Sequence, residues 1–133
     1  MTSFRTGDGL YRIGWVLSGL VVVALLADAA VNFFAPHLLA ETMAQEGFPI
    51  TQAPALGIII FLCALIYALP RTAVLGAILI TAFFGGAICV HFRLGALGSP
   101  PQIISLVLAI MAWGGIYLRD ARLRALLPMR APG

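Results

Sequence analysis

The chain has 133 residues, 62% of them hydrophobic and only 10% charged, with a mean hydropathy of +1.05. A water-soluble domain of this length needs far more polar surface to cover its core, which excludes that class. The net charge of +3 invites a nucleic-acid reading, but there is no lysine and the eight arginines form no patch with interleaved aromatics. No nucleic-acid partner is expected.

The apolar residues are bunched into four runs of the length that crosses a bilayer, at residues 10–34, 51–69, 72–92 and 99–118. The first runs from Leu10 to Phe34, where Pro36 stops it. Its early part, with Ala27-Asp28-Ala29, imitates a secretory signal and its cleavage site. The apolar pattern continues past that point through Val31, Phe33 and Phe34, so a membrane span is the expectation.

The following loop, PHLLAETMAQEGFP, reads as a short amphipathic helix lying over the outer end of the bundle. Leu38, Leu39, Met43 and Phe48 should line its inner side, with Glu41, Gln45 and Glu46 facing water. Gly47 should stop it, and Pro49 enforce the stop. Thr51 is the expected N-cap of the second span, with Pro54 in its first turn. Pro70 ends that span, Thr72 caps the third, and Ser99-Pro100 opens the fourth as a cap followed by an N1 proline. Connections this short make sequential helices antiparallel neighbours. The expected fold is all-α: an integral membrane four-helix up-down bundle, one transmembrane domain over residues 1–133.

Charge sets the expected orientation. Arg5, Arg12, Arg71, Arg119, Arg122, Arg124 and Arg130 fall on one side of this map and Arg93 alone on the other. Such a bias predicts both termini in the cytoplasm, with loops 35–50 and 93–98 outside. Tyr11, Trp15, Tyr67, Trp113 and Tyr117 gather toward the cytoplasmic ends as an interfacial belt. Cys63 near mid-membrane and Cys89 near the outer face differ too much in depth for a disulfide. Gly14 with Ser18, and Ala82 with Gly86, are small-xxx-small pairs of the kind that bring helices together in lipid.

Asp28 is the costliest residue to place in a span, and Asn32 lies one turn above it on the same face. His91 and Arg93 end the third span at the same, outer side. The expectation is a polar cluster of Asp28, Asn32, His91 and Arg93. Arg93 would be the cation that holds Asp28, His91 would line a cavity, and Gly85 and Gly86 would let the third span approach. No metal-ligand set and no catalytic motif of the H-E-x-x-H, G-x-S-x-G or P-loop type is present, and no cofactor is expected.

Asp28 in the first span, IYALPRTAVLGAILIT at 66–81, GGAICVHFRLG at 85–95 and WGGIYLRDARLRALLP at 113–128 together resemble the DoxX-like family over almost the whole chain. The resemblance implies a small four-helix protein of the bacterial inner membrane. Namesakes in the wider family are linked to thiosulfate–quinone oxidation and redox-associated complexes. Related sequences usually carry a Glu in the second span, where Gly57-Ile58-Ile59-Ile60 places Ile60 in this chain. Proton or quinone chemistry that depended on that acid would be lost.

These features lead to the expectation of a lipophile- or quinone-binding module, or an accessory subunit docking a membrane partner, with the lipid bilayer around it. The bundle would hold a cavity, polar at its outer end and apolar below. The alternatives are an enzyme using Asp28 and His91 as acid and base, or a purely structural subunit.

Overall fold

A computed structural model describes residues 6–127; Arg5 and Arg130 of the charge map lie outside them. Six α-helices follow in order: α1 (Thr6–Phe34), α2 (Ala40–Glu46), α3 (Ala53–Ala68), α4 (Ala73–Arg93), α5 (Pro100–Arg119) and α6 (Ala121–Leu126). Helices α1, α3, α4 and α5 are each long and apolar enough to span a membrane, with mean hydropathies of 1.7–2.4 in their most apolar windows. The four expected spans are therefore helices, α1 beginning four residues earlier than the apolar run.

The four long helices form a closed antiparallel ring. α1 packs on α3 and α5, and α4 packs on the same two, which leaves α1 and α4 facing each other across the diagonal. The core is built from Val21, Leu25 and Ala29 of α1, Ile60, Ala64 and Tyr67 of α3, Ala77, Ile80 and Phe84 of α4, and Ala112 and Ile116 of α5. Each set recurs at three- or four-residue spacing, the stripe a helix needs to face one neighbour throughout its length. The outward faces are equally apolar: Val16, Val23, Ile58, Leu62, Ile78 and Ile110 all stand exposed. In water such a surface would aggregate; in hydrocarbon it is matched to its solvent.

Glycine sets the closest approaches. A Cβ on Gly14 would lie 2.8 Å from the carbonyl oxygen of Gly115, so α1 and α5 cross nearly backbone to backbone there. Gly76 of α4 rides directly on the Cα of Tyr67. The Gly14–Ser18 pair is thus a true helix contact. The Ala82–Gly86 pair is not: both residues are exposed, and nothing lies within 4 Å of a Cβ at Gly85 or Gly86. The expectation that these glycines draw the third span to its neighbours is corrected by that open space.

The α2 segment forms as expected, entered by a 3₁₀ turn over Pro36–Leu39 and closed by Gly47 at φ 83°, where the Phe48 N–H reaches the Met43 carbonyl at 2.8 Å. Met43 is buried, while Leu38, expected inward, is exposed because the 3₁₀ turn rotates it off the inner face. Three caps differ from expectation. Thr51 lies inside a 3₁₀ turn, Ile50–Gln52, and α3 starts behind it with Pro54 in its first turn. Thr72 precedes α4, but its hydroxyl donates back to the Ile66 carbonyl at 2.7 Å, tying the end of α3 instead. Ser99 precedes Pro100 in extended conformation without a side-chain cap; Gln102 Oε1 accepts from the Gly98 N–H at 2.7 Å in its stead. Cys63 is buried and Cys89 exposed, both as free thiols.

Candidate functional site

At the α2 end of the bundle the polar residues divide into two sets. Asn32 is buried, and its Nδ2 donates to the backbone carbonyl of Asp28 at 2.9 Å and to Asp28 Oδ1 at 3.3 Å. Asp28 itself is exposed on the flank of α1. His91 is buried at the end of α4, and its Nε2 stands 3.4 Å from Glu46 Oε1. Arg93 is exposed and donates to the Glu46 backbone carbonyl at 3.1 Å. The expected Asp28–Arg93 contact is absent among the described residues. Its physical reason is the ring order: α1 and α4 are diagonal, with α3 and α5 between them.

Glu46 is the residue that sequence reasoning placed wrongly, in water rather than against His91. It fastens α2 to α4 through both its side chain and its carbonyl. The signal was available in outline: Glu46 precedes the Gly47 stop, and the loop must return across the bundle end to begin α3 next to α1.

A second polar set, missed in the sequence, crosses the opposite end. Arg119 Nε donates to Ser18 Oγ at 3.0 Å, and Ser18 Oγ lies 3.1 Å from Tyr67 Oη. Tyr67 Oη donates to the Ala112 carbonyl at 2.7 Å, so Ser18 is the donor to Tyr67 and the chain of bonds runs in one direction. The guanidinium of Arg119 also sits 4.3 Å above the Trp15 ring, a cation–π distance. Tyr67 is fully buried, and its place in the interfacial belt is corrected: it ties α1, α3 and α5 together from inside. Tyr11 and Trp15 remain exposed, as a belt requires.

The interior between the two sets is filled. Leu25, Ile60, Ile80 and Ile116 are each at most 2% exposed, with Phe84 against them. The expected cavity, polar above and apolar below, is replaced by this packing. Open volume lies instead on the outside of α5, near its C-terminal end. A groove of about 760 Å³ runs along Ala109, Ile110, Trp113, Gly114 and Tyr117 and is closed by Leu126 and Leu127. Gly114 forms its floor by leaving the space of a side chain empty. Trp113 is braced by its indole N–H, which donates to Thr81 Oγ1 of α4 at 2.7 Å.

A family model described as the DoxX-like family matches residues 16–115. The chain belongs to the DoxX-like family. Comparison with curated proteins and with solved structures gives no match. The family match takes in most of α1, all of α2, α3 and α4, and α5 as far as Gly115. In this DoxX-like protein Ile60, the residue that stands where the family resemblance led to the expectation of an acid, is buried in the core. A carboxyl at residue 60 would point at the middle of the bundle; here the middle is packed with apolar side chains. Among the described residues no group of three or more His, Cys, Asp or Glu comes together to hold a metal.

Proposed function

We propose that this DoxX-like protein is a small accessory subunit of the bacterial inner membrane that binds an amphipathic lipophile, a lipid or a quinone, for a membrane redox or assembly system. The groove along α5 carries this reading. Its volume suits a lipophilic chain or ring, its lining is apolar, and Trp113 and Tyr117 offer flat faces at the interfacial level. Arg12, Arg71, Arg119, Arg122 and Arg124 at the groove's end of the bundle, against Arg93 at the other, support cytoplasmic termini and a groove in the inner leaflet. The membrane-partner version of the reading rests on Asp28, an exposed carboxyl in a span whose one side-chain partner among the described residues is Asn32. The acid–base alternative has less to stand on, because Asp28 turns to Asn32 and His91 to Glu46 rather than to a shared space.

The test is a native mass spectrum of protein purified in mild detergent, beside the Gly114→Leu variant. A Cβ at Gly114 meets only Leu17 Cδ1, at 3.9 Å, an ordinary contact, so the backbone there accepts a side chain that would occupy the groove. A co-purified lipophile present on the parent protein and lost from the variant is the expected result. Equal occupancy in both, or none in either, refutes binding in the groove.

A further inference from the structure

Helix α6 lies wholly beyond the stretch on which family membership rests, yet it completes the groove. α5 ends where Asp120 turns extended, at φ −115° and ψ 107°, and Asp120 Oδ1 accepts from the Arg122 N–H at 2.9 Å to start α6. Leu123 then anchors α6 in the core, at 3% exposure, which carries Leu126 to the mouth of the groove. Arg122 lies one turn before Leu126 and therefore on the same face of α6. Arg124 donates through Nη1 to the carbonyls of Tyr117 and Leu118, at 3.0 and 2.7 Å, which holds its guanidinium beside a residue of the groove wall. Both arginines are exposed. An apolar groove of about 760 Å³ is thus closed by residues of a short helix that also carries two exposed arginines. This end of the bundle carries five arginines against two acids, Asp8 and Asp120, among the described residues.

We infer that the occupant of the groove is an anionic phospholipid. One acyl chain lies over Gly114 between Trp113 and Tyr117, and the phosphate is held by Arg122 with Arg124 beside it. This deepens the reading given above and rests on it. The arginine fork suits phosphate oxygens, and the attraction of each basic residue to an anionic headgroup is of a size that shifts affinity about fivefold. A quinone has no anionic group for the two arginines, and a zwitterionic lipid presents an ammonium that opposes them.

The test uses the Trp15→Phe protein, in which Trp113 is the sole tryptophan, reconstituted in phosphatidylcholine vesicles. Brominated phosphatidylglycerol or brominated phosphatidylcholine is added at matched mole fractions, and quenching of Trp113 is read. Phosphatidylglycerol should quench at roughly fivefold lower mole fraction for each arginine that engages it; Arg122→Gln should remove one such factor, and Arg122→Gln with Arg124→Gln should bring the two lipids together. Raising salt should narrow the difference, since the groups are solvent-exposed. Adding Gly114→Leu should reduce quenching by both lipids. Equal quenching by the two lipids in the parent protein, or selectivity that survives the double substitution Arg122→Gln with Arg124→Gln, overturns the headgroup assignment while leaving the groove. Quenching unchanged by Gly114→Leu overturns the groove itself, and with it the reading on which this inference rests.

Discussion

Replacing Gly14 by alanine tests whether the α1–α5 crossing holds the bundle together. The new Cβ would lie 2.8 Å from the Gly115 carbonyl oxygen, 2.9 Å from the Arg119 nitrogen and 3.0 Å from Leu118 Cβ. The first two are backbone atoms that cannot rotate away. Ordinary contact is at about 3.5 Å or more, so α1 and α5 must part by roughly half an ångström or more at this point. The Arg119–Ser18 bond, 3.0 Å now, stretches with them. Overpacking of this kind costs ~1–3 kcal/mol, and a weakened hydrogen bond adds up to ~1 kcal/mol. The better helix propensity of alanine returns ~1 kcal/mol, leaving a net loss of about 0–3 kcal/mol, centred on ~1.5 kcal/mol. Gly86→Ala is the matched control, because a Cβ there meets nothing within 4 Å; it should be neutral or gain up to ~1 kcal/mol. Unfolding by sodium dodecyl sulfate in dodecylmaltoside micelles, followed by far-ultraviolet circular dichroism, measures both. An unchanged Gly14→Ala midpoint, or a loss at Gly86→Ala that does not vary with protein concentration, would refute the assignment of close approach to Gly14. A loss at Gly86 that does vary would instead place that residue between copies of the chain.

Tyr67→Phe should cost about 1 kcal/mol in the same titration, because it removes the donor to the Ala112 carbonyl and the acceptor for Ser18. Ser18→Ala should then cost less in the Tyr67→Phe background than alone; equal costs would mean that the two do not share a network. Double-mutant cycles at the other end should separate two pairs: Glu46→Ala with His91→Ala should couple by at least ~0.5 kcal/mol, and Asp28→Ala with Arg93→Ala should add within about that margin. Coupling between Asp28 and Arg93 would contradict the diagonal placement of α1 and α4.

Much of the architecture was legible because lipid leaves a chain few options. Four apolar runs of spanning length become helices, since backbone groups in hydrocarbon have only each other. Pro36, Gly47, Pro70 and Pro100 punctuate the connections through local geometry, which sequence reports directly. The capping residues were less legible for a related reason. Thr51 and Thr72 have the right chemistry, but a hydroxyl can bond whichever carbonyl or amide the turn brings near, and Thr72 took the end of the previous helix.

The polar cluster was misjudged at a different level. Periodicity places Asp28, His91 and Arg93 at one depth, and depth is all it supplies; pairing also needs adjacency around the ring. That order follows from where backbones can touch, at Gly14 on Gly115 and Gly76 on Tyr67, and no single helix reveals which glycine meets which partner. Once α1 and α4 are diagonal, every group that would join them must cross Leu25, Ile60 and Phe84. Ile60 gives that barrier its functional weight. A carboxyl at residue 60 would bring a proton-bearing group, and the water or partner it needs, into the middle of the bundle. An isoleucine lets the core close around it, so the proposed lipophile would have to meet this protein from outside, along α5. The site to test is then defined by Gly114 and the two arginines of α6, and Asp28 becomes a question about the flank of α1.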